Sequence, residues 1–116
     1  MKLNSGERIV LKKSTLAKRV FTERKFHEIP ILGSHAGVNI YLTNQRIFVE
    51  LMLLHFKIAE IPLNVIRDIR KEKHLLFQTI IIECRQQSGI RKLVLSLGGD
   101  SDLWFRKIQE ARSQLR

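Results

Sequence analysis

Apolar side chains recur at every second residue through most of this chain and at every third or fourth residue near its end, and that change of period limits the folds open to it. Val38-Asn39-Ile40-Tyr41-Leu42-Thr43 alternates apolar and polar groups, as a strand with one buried face requires. Arg46 to Leu53 continues the alternation, with Ile47, Val49, Leu51 and Leu53 on one face. Asn44-Gln45 separates the two runs, and Asn at the head of a two-residue break tolerates the positive φ of a tight hairpin turn. Antiparallel pairing of the two runs follows.

Phe56 to Ile61 reads as another strand, stopped by Pro62 because proline cannot donate to a ladder. Val65 to Lys71 forms a further short strand. Phe77 to Arg85 and Arg91 to Leu97 flank Gln86-Gln87-Ser88-Gly89, where glycine supplies the positive φ of a hairpin loop. In the second of these runs Leu93, Leu95 and Leu97 point one way. Upstream, Glu7 to Lys13 and Lys18 to Phe26 are strand candidates, and Glu28 to Gly37 reads as a loop.

After Gly98-Gly99 the period becomes helical. Asp100 is a suitable N-cap, and Asp102 places negative charge at the positive end of the helix dipole. Trp104, Ile108, Ala111 and Leu115 follow as one apolar stripe, which assigns Trp104 to the core. Asp102 and Arg106 stand at the spacing of a helical ion pair, and Arg112 and Arg116 suit the negative end of the dipole. A run of short antiparallel strands ending in one amphipathic helix predicts a mainly β fold with one C-terminal α-helix: a partly open barrel of about seven antiparallel strands, capped by the helix.

The 116 residues are about the size of one domain, so residues 1–116 are expected to form a single unit. Cys84 is the one cysteine and cannot form an internal bridge, which favours a reducing compartment and a buried role in an apolar strand. The start of the chain shows no apolar run suited to a signal peptide, and no run elsewhere approaches the roughly 20 residues of a membrane-spanning helix. A cytoplasmic protein, peripheral at the membrane where lipid matters, is the expectation. Twenty-one Lys and Arg against eleven Asp and Glu give a formal charge of +10 and favour anionic partners. The excess is uneven: residues 1–25 hold eight basic and two acidic side chains, a net of +6. A second concentration, Arg67, Arg70, Lys71 and Lys73, is diluted by Asp68 and Glu72.

Gly37 to Val49, with Leu42-Thr43-Asn44-Gln45-Arg46 at its centre, followed by Ile61-Pro62-Leu63-Asn64-Val65-Ile66, resembles the signature of the GRAM and bacterial pleckstrin-homology-like (PH-like) family. Trp104 in a final helix is similar to the tryptophan near the end of such domains. The resemblance implies a PH-like barrel and a binding role, with phosphoinositides, other anionic lipids or proteins as partners. The Lys/Arg-x-Arg triplet common in phosphoinositide-gripping pleckstrin-homology domains is absent from Lys12-Lys13-Ser14-Thr15-Leu16-Ala17-Lys18-Arg19.

Lys12, Lys13, Lys18 and Arg19 are the candidate lipid- or anion-binding residues, because two basic pairs flanking a short loop can converge on one anionic patch. Thr43 and Asn44 belong to hairpin chemistry, and Arg46 is expected to pair across the turn or with Glu50. His27, His35, His55 and His74 are scattered without metal-ligand spacing, so no metal or cofactor is implied. Neither a nucleophile elbow nor a phosphate loop is present, and the chain reads as a binding module and not an enzyme. Association with anionic lipid headgroups ranks first and a protein-interaction or homo-oligomerising adaptor second. Nucleic acid ranks third, since Phe48, Phe56, Phe77 and Trp104 lie in apolar contexts and not on an exposed stacking surface.

Overall fold

A computed structural model describes residues 1–24, 36–74, 77–85 and 89–115 of the chain. Eight strands form two antiparallel sheets. The first sheet runs β1 (Ile9–Leu16), β3 (Gly37–Thr43), β4 (Arg46–Leu51), β5 (Lys57–Pro62); the second runs β2 (Val20–Arg24), β8 (Ile90–Leu95), β7 (Phe77–Cys84), β6 (Ile66–His74). Short 3₁₀ turns carry the chain between sheets at two corners, Ala17–Arg19 from β1 to β2 and Leu63–Val65 from β5 to β6. The two sheets are thus joined at these corners by continuous chain, without a ladder that closes them into a full barrel. Eight strands stand against the about seven expected, with the 3₁₀ turn Ala17–Arg19 separating β1 from β2.

The period-two reading explains the interior. Ile40 and Leu42 on β3 face Val49 and Ile47 on β4 in register, Val38 faces Leu51, and all but Leu51 are fully buried. Leu93, Leu95 and Leu97 enter the same core from the second sheet, with Cys84 beside them. Helix α1 (Ser101–Ser113) packs against β6 and β7, burying Trp104, Ile108 and Ala111. Gly98 supplies the left-handed turn (φ 59°) that redirects the chain from strand to helix.

Several local expectations are corrected. Asp100 occupies the N-cap position without making a side-chain cap; its carboxylate lies 2.6 Å from Lys13 Nζ instead. Asp102 pairs with Lys71 at 2.5 Å, drawn across to the sheet and away from Arg106. Leu115 falls past the end of the helix and is 46 % exposed. Neither Asn44 nor Gly89 is left-handed. The expected loop of residues 28–37 and the 86–88 turn lie outside the described residues, as do His27, His35 and Arg116; Gly37 itself opens β3.

The largest departure follows β4. Expected to run to Leu53 and to resume at Phe56, the strand stops at Leu51, and Leu53, Leu54 and Phe56 become 77 %, 78 % and 65 % exposed. Leu54 (φ 61°) and His55 (φ 52°) take the left-handed conformation, which costs roughly 1–2 kcal/mol for each L-residue. The Leu51 N–H donates to Phe56 O (2.7 Å) and the Met52 N–H to Gly37 O (3.0 Å), so this turn is tied down at its base. Gly37 leaves room for Met52, whose sulfur a Cβ at that position would strike.

Trp104→Ala should lower unfolding stability by about 3–5 kcal/mol, because it leaves a cavity between α1 and the second sheet. Leu115→Ala should change it by less than about 0.5 kcal/mol. Denaturant midpoints measured side by side check the contrast, and equal losses would refute the assignment of the helical stripe.

Candidate functional site

Two features stand out from the scaffold: a buried polar stripe on the outer face of the first sheet, and the basic corner between β1 and β2. The stripe follows from the same alternation that builds the core. Asn39, Tyr41 and Thr43 on β3, and Arg46, Phe48 and Glu50 on β4, face away from the core yet are all buried. Cross-strand register sets Asn39 against Glu50 and Tyr41 against Phe48. Residues 1–8 run along this face and close it.

The motif residues grip that segment. Thr43 Oγ1 donates to Glu7 Oε2 (2.6 Å) and accepts from the backbone N–H groups of Gln45 (3.0 Å) and Arg46 (2.9 Å). Asn44 Oδ1 accepts from the Arg8 N–H (2.8 Å), Asn44 Nδ2 donates to Gly6 O (3.1 Å), and Gln45 Nε2 donates to Ser5 O (3.0 Å). Arg46 spreads its guanidinium over Glu7 (Nε to Oε2, 2.8 Å), Glu60 (Nη1 to Oε2, 2.9 Å) and the carbonyl of Lys2 (2.7 Å), while lying 4.9 Å from the Phe48 ring centroid. Gly6 (φ 72°) makes the turn that delivers Glu7 to this cluster. Arg46 therefore pairs with Glu7 and Glu60, where a partner across the turn or Glu50 was expected.

Glu50 organises the other end of the stripe. Its Oε2 accepts from Asn39 Nδ2 (3.0 Å) and the Tyr41 hydroxyl (3.1 Å), and lies 3.1 Å from His55 Nδ1. Oε1 is 3.2 Å from the Met1 nitrogen. Burial pushes the carboxyl pKa up, but the hydrogen bonds from Asn39, His55, the Met1 nitrogen and Tyr41 outweigh it and hold the pKa at about 2. Glu7 is also held below its ordinary value: burial raises it, and bonds from Arg46, Thr43 and the Asn4 N–H outweigh that. Burial and the neighbouring Glu50 together raise Tyr41. Glu50 was not singled out from the sequence. The signal was an acid inside an apolar strand, in register with Asn39 across the hairpin.

Of the four basic candidates, Lys18 and Arg19 sit together on the 3₁₀ corner, Lys18 exposed and Arg19 half-buried, with Arg19 O accepting from the Ser96 N–H (2.9 Å). The stretch preceding them is strand as far as Leu16, so neighbouring Lys12 and Lys13 point to opposite faces. Lys12 Nζ lies over the Tyr41 ring, 5.5 Å from its centroid, on the outer face. Lys13 reaches the N-terminus of α1 and Asp100. The structure thus joins Lys18 with Arg19 and separates Lys12 from Lys13. In the second basic concentration, Arg67 and Arg70 pair with Glu83 and Lys71 with Asp102. Among the described residues, no group of three or more His, Cys, Asp or Glu is placed to hold a metal, and no helix is long and apolar enough to cross a membrane.

Two four-stranded antiparallel sheets meeting at corners, with a C-terminal helix carrying a buried tryptophan, define a PH-like fold. Among solved structures the chain is similar to the Vps36 N-terminal PH domain, with a TM-score of 0.70 and 17 % identity over 98 % of this chain and 85 % of that one. No family model and no curated protein matches the sequence.

Because the folded-state pKa values of Glu7, Glu50 and Glu60 are depressed, they contribute stability above their ordinary value of 4.5, lost as pH falls, for Glu50 through about 2. Glu50→Gln should cost about 2 kcal/mol at neutral pH and flatten the loss of stability between pH 4.5 and 2. Denaturant unfolding across that range measures both effects, and an acid limb as steep as that of the native protein would contradict the role given to Glu50.

Proposed function

We propose that residues 1–116 act as one PH-like binding module of the GRAM type, which docks from the cytoplasm on anionic membrane lipids through the basic N-terminal patch. The observation that carries this reading is that Lys18 and Arg19 lie together on the 3₁₀ corner, while Arg67, Arg70 and Lys71 of the other basic concentration are paired with Glu83 and Asp102. Lys12 extends the patch along the outer face. Lys13 contributes less, because Asp100 takes up its charge. Each cation near an acidic bilayer adds about 1 kcal/mol of attraction that salt screens. Phosphoinositides and other acidic lipids share the chemistry that such a patch reads. Binding, without catalysis, is the role proposed.

A second reading, a protein adaptor, is favoured by one observation. β1 is an edge strand, and its exposed Ile9 and Val10 line a groove of about 260 Å³ against Lys107 and Ala111 of α1 and Gln114 just past its end. An edge strand beside a groove accepts an added strand readily.

Replacing Lys12, Lys13, Lys18 and Arg19 together by Glu should abolish co-sedimentation with phosphatidylserine-containing vesicles. Most of that loss should be reproduced by Lys18→Glu with Arg19→Glu alone. Sedimentation unchanged by the four reversals removes the patch; in that case, a size-exclusion mass above that of the monomer would favour the adaptor.

A further inference from the structure

A folded chain has no internal use for Leu53, Leu54 and Phe56 in their present positions. They are the three most exposed large apolar side chains among the described residues, and they occupy a single turn. The turn is not slack. Leu54 and His55 are held in left-handed backbone that neither residue favours, and three contacts fix it: Leu51 N–H to Phe56 O, Met52 N–H to Gly37 O, and His55 to the buried Glu50. A backbone held in an unfavourable conformation to present apolar groups to water points to a surface that receives them.

The register shows what surrounds this tip. Leu16 at the end of β1 is opposite Gly37, Val38 is opposite Leu51, and Ala17 N–H donates to Ala36 O. The β1–β2 corner and the β4–β5 turn therefore lie at the same end of the first sheet, about 10 Å apart across two strand spacings. Exposed Lys18 stands at that corner, Leu16 just before it is 37 % exposed, and Lys57, with 59 % of its side chain exposed, is paired with Glu60 beside the apolar tip. The acids nearest the tip in sequence are occupied. Glu50 is fully buried, and Glu60 is shared by Arg46 and Lys57.

An apolar wedge rimmed by cations matches the layered chemistry of an anionic bilayer, with phosphates outside and acyl chains within. We propose that the β4–β5 turn inserts Leu53, Leu54 and Phe56 to the acyl boundary of an anionic membrane, while Lys18 and Arg19 meet the headgroups. This rests on the lipid-docking reading given above, and it assigns the hydrophobic half of the contact to residues far from the basic segment in sequence.

The test uses the full chain and vesicles of phosphatidylcholine with or without phosphatidylserine. Replacing Leu53, Leu54 and Phe56 by Ser should weaken partitioning onto phosphatidylserine vesicles roughly 100-fold, since three apolar side chains lose their burial. The salt sensitivity of the residual binding should persist. Separately, Phe56→Trp should shift its emission to the blue on those vesicles and be quenched by lipids brominated in the acyl chain, against an unquenched background from buried Trp104. Native binding with neither an effect of the triple replacement nor quenching overturns insertion and leaves the headgroup contact standing. Failure of the native chain to bind any vesicle overturns both. A sedimentation mass of two chains that the triple replacement returns to one assigns the tip to a self-contact and overturns insertion as well.

Discussion

The ion pair between Arg46 and Glu7 is the interaction on which the rest of the first sheet depends. Both side chains are buried on a surface that the strand alternation leaves polar, and an Arg there is tolerable only with its charge met. Glu7 meets it, which brings residues 1–8 across β3 and β4. Once there, the segment covers the outward row of Asn39, Tyr41 and Glu50, and Glu50 in turn anchors the β4–β5 turn through His55. One buried ion pair thus connects the start of the chain to a turn some 50 residues later.

This arrangement divides the sheet by chemistry. At the β3–β4 hairpin the buried Arg46 and Glu7 are matched with one another, so their charge is spent within the scaffold. The opposite end of the sheet carries the Lys18–Arg19 corner and an exposed apolar turn, whose nearest acids are already engaged. The proposed docking on a layered anionic surface uses that division, with cohesion concentrated in one region and exposed apolar and basic groups in another.

Much of the fold was legible in the sequence because period two and period three-to-four are read directly from side-chain order. The hairpin of β3 and β4, the Leu93–Leu95–Leu97 face and the Trp104 stripe all rest on that rule. Leu53 and Phe56 escaped it, since alternation continues formally past Leu51 and gives no sign that the backbone turns left-handed at Leu54. Arg46 was expected to pair across the turn or with Glu50, yet residues four apart on a strand lie about 13 Å apart. Its partner Glu7 is distant in sequence and was hidden from any local reading. The motif around Leu42-Thr43-Asn44-Gln45-Arg46 pointed to a PH-like scaffold, and its contacts are with the scaffold: each polar side chain in it holds residues 2–8 or the hairpin itself. The basic residues were visible as a cluster, but β1 continues to Leu16, so the loop they were expected to flank is strand and the 3₁₀ corner holds only Lys18 and Arg19.

Amide chemical-shift mapping of the isotopically labelled full chain, titrated with anionic and with zwitterionic bicelles, tests the central claim most directly: cohesion lies at one end of the first sheet and docking at the other. The account predicts that anionic bicelles perturb residues 16–19 and 52–57, leaving the amides of Thr43 to Arg46 and the groove between β1 and α1 unmoved. Perturbation centred on Thr43–Arg46 or on that groove, with residues 52–57 silent, would contradict it.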